Sequence, residues 1–281
     1  HNSNIVKGGI SNFPKILNKI LSSFNADIRK NVTVKSINIK NNTFESVTTQ
    51  EGETINSDQI ISGLDPHNTF INLIGNANLD PSFHTQINNI KYRGSTARIH
   101  FALRDIPKIE GINNDHINTV FSICPSMEYL ERASDAVKYG FISKDPYLEF
   151  SIPSTLNPEF SPVGKHVLSV SVQYAPYQLR NRIWDTDSKE QLKQNTIQVL
   201  EKKIPDLTQL IEAYLVYYPK DLEAEFGIKE GNLNHGEMTL DQLFFMRPTA
   251  SSSQYSTPFK NLYLCGSGTH PGGGLHGTNG Y

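Results

Sequence analysis

The C-terminal end of this 281-residue chain places a run of glycines directly after a short apolar strand. The strand is predicted at Asn261–Cys265, and six of the twelve residues from Gly266 to Gly277 are glycine. Glycines here let backbone N–H groups approach an anion, because no Cβ stands in the way. The run lacks the Lys-Ser/Thr ending of a P-loop and the βαβ context of a dinucleotide fingerprint. It predicts a loop that binds a phosphate, or the edge of a flavin or nicotinamide ring.

The N-terminal segment predicts a helix followed by a β-meander. Apolar residues recur from Phe13 to Phe24 at spacings of three and four, which predicts a helix with one buried face. Alternating apolar residues and turn signals then predict strands at 32–39, 44–49 and 55–62, with a β-bulge in the first.

The middle of the chain, residues 67–235, mixes helices and strands without βαβ alternation. A helix is predicted at 126–139, and a second begins at Ser188, where Ser188-Lys-Glu-Gln191 fits the capping-box pattern. This mixture predicts an α+β domain with a mixed or antiparallel sheet. Its strands are predicted at 96–103, 147–152, 166–174 and 213–217.

Charge and composition exclude several classes of function. The chain has 26 Lys+Arg against 28 Asp+Glu, so it lacks the basic excess that nucleic-acid binding needs. Cys124 and Cys265 are the two cysteines, which argues against a disulfide scaffold or a cysteine-based zinc site and favours a reducing, intracellular setting. The sequence contains no apolar run long enough to predict a transmembrane helix. Motifs of serine hydrolases and zinc proteases are absent, and no metal site is predicted.

The residues from Leu262 to Gly277 resemble the C-terminal flavin motif of phytoene-desaturase-like FAD-dependent oxidoreductases. Ile60–Pro66 is similar to an internal segment of that family. Asn234–Pro248 is closest to the branch named after pyridine nucleotide-disulfide oxidoreductase domain-containing protein 2. The resemblance covers essentially the whole chain. It implies FAD as cofactor, and hydride removal from, or redox isomerisation of, an apolar unsaturated substrate.

The resemblance also implies a domain arrangement. Residues 1–66 are expected to be part of an FAD-binding domain, 67–248 an inserted substrate-binding domain, and 249–281 the C-terminal FAD-binding strand and glycine-rich motif. Family members begin with a Gly-x-Gly-x-x-Gly βαβ unit that this sequence lacks. We therefore expect a fragment that exposes strand edges and apolar faces and self-associates through them.

The resemblance assigns FAD contacts residue by residue. Gly8 and Gly9 are expected near the isoalloxazine ring, and Val34 on the adenine side, although residue chemistry alone favours a strand-core role for Val34. Thr278 and Asn279 are expected where a helix N-terminus meets the flavin. The remaining expected contacts are Gly266, Ser267, Gly268, Gly272, Gly273, Gly274 and Gly277.

Polar residues near the glycine run have two interpretations. His235, Glu237 and Arg247, together with Asp241, could line the substrate cavity. They could instead form pairs with one another that fix a loop, which is the commoner arrangement. Arg93 and Arg98 could bind an acidic or polar substrate group, or lie on a solvated strand face. His270 and His276 could act in catalysis or hold the loop. No residue is assigned as a catalytic base, since a flavin itself accepts the hydride.

A different class of function remains open. Without the βαβ unit the chain could hold no FAD and act as a non-catalytic binding or interaction module. It could also carry an apolar ligand without redox chemistry. Peripheral membrane contact and homo-oligomer formation are further expectations.

Overall fold

The computed structural model describes residues 8–113, 116–274 and 277–278. The chain is α+β and forms two compact units, one from residues 1–28 and 95–222, the other from 29–94 and 223–281. The helices are α1 (Asn12–Ser23), α2 (Pro81–Asn89), α3 (Met127–Lys138), α4 (Thr186–Glu201), α5 (Leu207–Leu210) and α6 (Pro219–Phe226). The strands are β1 (Val34–Lys40), β2 (Thr43–Thr49), β3 (Thr54–Asn56), β4 (Ile60–Ser62), β5 (Thr96–Leu103), β6 (Phe121–Ile123), β7 (Tyr147–Ser151), β8 (His166–Gln173), β9 (Ile211–Tyr217) and β10 (Leu262–Leu264).

The first unit is built on a five-stranded antiparallel sheet in the order β6-β7-β8-β5-β9. Side chains alternate between its faces, and Ile99 and Phe101 of β5 are fully buried on one of them. They share a core with Leu192 and Leu200 of α4, so this helix covers that face. The predicted α+β class is confirmed, and of the two sheet types that the sequence left open, mixed or antiparallel, the sheet is antiparallel.

Side-chain caps set the starts of two helices in this unit. Ser126 Oγ accepts a hydrogen bond from Tyr129 N at 3.1 Å, and α3 begins directly after it. For α4 the predicted cap was wrong. Asp185 is the cap, because its carboxylate accepts from Ser188 N at 2.8 Å, and Ser188 itself lies inside the first turn, buried.

The second unit contains the predicted β-meander as a three-stranded antiparallel sheet in the order β1-β2-β3. The predicted bulge is confirmed by a register shift between Val34 and Ser36. Val34 is 36% exposed, so the strand-core interpretation of this residue was wrong.

The third predicted strand, 55–62, was wrong as a single element. It is divided between β3, which continues the meander, and β4, which pairs in parallel with β10. Ser57 Oγ donates to Gln59 O at 3.0 Å, and such local side-chain bonds compete with strand pairing. The chain thereby leaves one sheet and enters another.

The apolar face of α1 contradicts the sequence expectation. The helix forms where predicted, yet none of its residues is buried in the described structure. Ile16 is 55% exposed and Ile20 48% exposed. The periodicity therefore predicted the helix correctly and its burial wrongly.

No helix in the described part of the chain is long and apolar enough to cross a membrane.

The two units divide the chain differently from the expected domains. Residues 67–94 and 223–248, expected in the inserted domain, lie in the second unit. The described residues of 1–28, expected in the FAD-binding domain, lie in the first unit. How these units correspond to functional domains stays a prediction.

The exposed face of α1 gives a first prediction. The double variant Ile16→Glu/Ile20→Glu should reduce self-association of the chain, because it places charges on an exposed apolar face. Light scattering at high protein concentration measures the effect. The control Asn18→Glu/Ser22→Glu adds the same charge to the opposite face of the helix and should leave self-association unchanged. A wild-type chain that stays monomeric at high concentration contradicts the prediction.

Candidate functional site

Two loops of the second unit meet at one end of the parallel pair β4 and β10. Cys265 N donates to Ser62 O at 2.8 Å, directly where both strands end. A Cβ placed on Gly266 would lie 3.1 Å from Gly63 O, so the two loops run side by side. The carboxyl ends of parallel strands are where open α/β sheets bind ligands. The glycine-rich loop is therefore at a typical binding position.

Close packing explains why glycine is needed in this loop. A Cβ on Gly268 would lie 2.7 Å from Pro66 Cδ, closer than real carbon contacts allow. Gly272 has a φ of +116°, which other residues rarely adopt, and Met238 lies against it. The loop can hold this shape only with glycine at these positions.

The same loop presents backbone donors that the described part of the protein does not use. The N–H groups of Ser267, Gly268, Gly272, Gly273 and Gly274 donate to no protein acceptor there. Successive unpaired N–H groups in such a loop form a site for an anion. Such a site is what glycines placed directly after an apolar strand predict.

A buried cation lies beside the loop. Arg247 has no exposed surface, and its Nη2 donates to Asn234 O at 2.8 Å and to Gly236 O at 3.0 Å. A Cβ on Gly272 would lie 3.4 Å from Arg247 Nη1. Within the described residues this guanidinium forms no ion pair, and burial lowers its pKa. A positive charge without a carboxylate partner thus adjoins the free N–H groups.

Four titratable side chains of the same unit form a hydrogen-bonded and electrostatically coupled cluster. Asp65 follows β4, is 3% exposed, and accepts from Asn68 N at 2.9 Å. Tyr92 Oη accepts from His67 N at 3.2 Å, and burial together with the nearby Asp65 carboxylate raises the pKa of the Tyr92 phenol. Burial also lowers the pKa of the His67 and His235 imidazoles, an effect that Asp65 opposes. Both imidazoles are therefore neutral donors or acceptors near neutral pH.

Unsatisfied buried nitrogens indicate that the site fits a polar group. His67 Nδ1, His235 Nδ1, Arg247 Nε and His270 Nδ1 are buried without a protein hydrogen-bond partner. Leaving such atoms unpaired costs free energy, so they indicate a ligand or water at this place. An anionic, acceptor-rich group such as a dinucleotide fits a cation and several N–H donors.

The structure places the other expected site residues as follows. Gly8 and Gly9 lie in the first unit before α1, where Gly8 N donates to Asn157 Oδ1 at 2.6 Å. Val34 lies in β1 of the second unit. Gly277 and Thr278 belong to the described residues, whereas Asn279 and His276 lie outside them.

The expected polar residues do not pair with one another. Glu237 forms a bidentate ion pair with Arg93, with 2.6 Å between Oε2 and Arg93 Nη2. Arg247 binds main-chain oxygens instead of Glu237. Sequence reasoning missed Asp65 and Tyr92 as members of the site, although a carboxylate directly after an apolar strand was a usable signal.

Comparison with known proteins identifies the family. The model of the family described as "Flavin containing amine oxidoreductase" matches residues 1–278. The chain belongs to this family. Pyridine nucleotide-disulfide oxidoreductase domain-containing protein 2 of Rattus norvegicus is 31% identical over 285 residues, 98% of this chain and 49% of that protein. A lycopene-forming phytoene desaturase of Paracoccus sp. is 24% identical, over 98% of this chain and 52% of that protein.

This member of the flavin-containing family spans about half the length of the curated relatives it matches. An oxidoreductase of known structure from Methanosarcina mazei has the same fold, with a TM-score of 0.58 at 14% identity over 94% of this chain and 50% of its own. FAD is the cofactor that goes with this family and fold. The resemblance drawn from the glycine-rich motif is thereby confirmed.

The half-buried His67 and His235 predict a pH dependence of stability. Their native pKa lies below the ordinary value of 6.5, so the native state disfavours protonation of both rings. The free energy of unfolding should be highest above that value and fall as the pH drops from about 7.5 to about 5.5. Urea unfolding measures it. His235→Gln should flatten the fall, and His84→Gln on α2 should not. An identical slope in all three proteins contradicts the prediction.

Arg247 and Arg93 allow a direct comparison of a buried with an exposed guanidinium. Arg247→Gln should lower the free energy of unfolding by about 3 kcal/mol, because it breaks two charge-assisted hydrogen bonds and leaves the buried Gly236 carbonyl unpaired. Arg93→Gln removes a guanidinium that is largely exposed, and it should lower this free energy by at most about 1 kcal/mol. Urea denaturation of both variants measures these losses. Equal losses would show that Arg247 does not anchor the loop.

Proposed function

We propose that this chain binds FAD through the loop 266–274 and works as part of an FAD-dependent oxidoreductase. The observation that carries the proposal is the row of unused backbone N–H groups at the carboxyl ends of β4 and β10, next to Arg247. FAD brings a pyrophosphate and a ring with several acceptor atoms, which match these donors.

In this proposal the bound flavin supplies the acceptance of a hydride. The chain's own residues bind and orient it. The loop N–H groups hold anionic or carbonyl oxygens, and Arg247 adds positive charge in a buried setting where electrostatic interactions are strong. The half-buried His235, neutral near pH 7, offers a further polar contact. We assign no catalytic acid or base.

For the substrate we propose an apolar unsaturated molecule that is dehydrogenated or isomerised. The phytoene desaturase relative supports this choice. We also propose the domain roles expected from the sequence: 1–66 and 249–281 for FAD, and 67–248 for substrate. An intracellular setting accords with two free cysteines. The exposed face of α1 suits self-association or peripheral membrane contact.

A flavin-retention experiment tests the proposal. The chain is mixed with FAD, passed through gel filtration, and its absorbance spectrum is recorded. The wild type should keep the flavin bands. Gly268→Ala should lose them, because the added methyl overlaps Pro66 and deforms the loop. Gly63→Ala is the matched control: its methyl meets only Cys265 Sγ, at 3.6 Å, and flavin should be retained.

The outcomes separate the alternatives. Equal retention by all three proteins would mean that the loop does not hold FAD. Absence of flavin from the wild type would contradict the proposal and favour a non-catalytic module or an apolar-ligand carrier. Retained flavin that is bleached anaerobically by a polyene would support the oxidoreductase activity.

A further inference from the structure

The face of the five-stranded sheet opposite the core carries a continuous polar row. Cross-strand registers place Ser122, Glu149, Ser171, Arg98 and Tyr217 directly opposite one another across all five strands. Directly opposed residues project from the same face, so these five side chains form one line. The row lies wholly within the first unit.

The neighbouring row continues this character. His100 lies opposite Ser169 on β8 and Leu215 on β9, and Ser169 lies opposite Ser151 on β7. The centre of the face is thus made of small serine side chains. Longer groups stand on either side of it: Arg98 and His100 on β5, and Glu149 on β7. Small residues between longer polar ones make a shallow floor. In this floor Ser171 is almost fully buried, whereas Ser169 and Ser151 are half-buried and open in part to a ligand.

Arg98 lacks an acidic partner on this face. It is half-buried, and among the described residues no carboxylate lies within ion-pair distance of its guanidinium. Glu149, two strands away, instead accepts from Tyr147 Oη at 2.7 Å. Burial, and after it the Arg98 charge, lowers the pKa of the neighbouring His100 imidazole.

We infer that this polar face binds the carboxylate group of a ligand, with Arg98 as the principal contact and the half-buried His100 and Tyr217 around it. The inference rests on the proposed function, because it makes this ligand the substrate, an apolar molecule that carries an acid group. A guanidinium matches a carboxylate with two parallel hydrogen bonds. A single full positive charge, with neutral hydroxyl and imidazole donors, suits a monoanion better than a phosphate dianion.

The row also defines how such a ligand would lie. Strands in a sheet are spaced about 4.8 Å apart, so Arg98 and Glu149 leave the sheet about 10 Å from each other, with Ser171 between them. The carboxylate lies at Arg98. A hydroxyl or amine donor elsewhere on the ligand would reach Glu149. The apolar part extends toward Leu215, a large apolar side chain that is 51% exposed on this face.

Binding of octanoate, and of octanamide as its neutral analogue, tests the inference. Calorimetric titration of the full chain without added FAD should give tighter binding of octanoate. Arg98→Gln should lower the affinity for octanoate by about tenfold or more, which is the effect of losing a charge-assisted contact. The affinity for octanamide should stay unchanged. Arg104→Gln, which removes an exposed arginine just beyond β5, is the matched control and should not change either affinity.

Thermal unfolding of each variant checks its fold. If Arg98→Gln is unfolded, His100→Gln replaces it. This variant should lower the affinity for octanoate but not the affinity for octanamide. No octanoate binding by the wild type, equal binding of both probes, or equal affinities in the wild type and the folded variant would overturn the inference. Because the titration contains no flavin, its result is independent of flavin retention. Carboxylate binding without retained FAD would leave this site standing and remove the proposed function.

Discussion

The parallel pairing of β4 with β10 is the contact on which the candidate site depends. These two three-residue strands are far apart in the sequence, and their hydrogen bonds bring two loops to the same edge. The apolar side chains Leu262 and Leu264, both almost fully buried, fix β10 in a core with Phe70 and Phe83. With β10 fixed in this way, the glycine loop that follows must leave at the carboxyl end, beside Gly63 and Pro66.

The second requirement is a buried positive charge. A guanidinium removed from water is costly unless hydrogen bonds and an opposite charge compensate it. Arg247 has main-chain acceptors for Nη2 and the Met238 sulfur for Nη1, yet Nε has no partner. Compensation is therefore incomplete within the protein. A negatively charged cofactor would complete it, which connects folding of the 234–248 segment with flavin binding.

Local patterns in the sequence predicted elements well where side-chain alternation and burial agree. Thr96–Leu103 alternates, and β5 has these bounds with every second residue, from Ala97 to Leu103, in the core. The prediction failed where a polar side chain redirects the backbone, as Ser57 does between β3 and β4. It failed again for α1, because periodicity indicates an apolar face but not what covers it. At α4, Asp185 and Ser188 both fit an N-cap, and only the three-dimensional structure distinguishes them.

The candidate site was predictable in part. Glycines after an apolar strand indicated the loop, and the family resemblance indicated its ligand. The neighbours of the loop could not be found in this way. Asp65, Tyr92 and His235 come together only through tertiary packing, and Arg98 joins its row only through the register of the sheet. Register depends on interactions along whole strands, which single residues do not reveal.

A crystal structure of the chain grown with FAD tests the central claim most directly. The account predicts that FAD lies at the carboxyl ends of β4 and β10, with its oxygens accepting hydrogen bonds from N–H groups of the loop 266–274 and with Arg247 facing it. FAD bound elsewhere on the chain would contradict the account. So would a structure in which these N–H groups donate to protein acceptors and the flavin is absent.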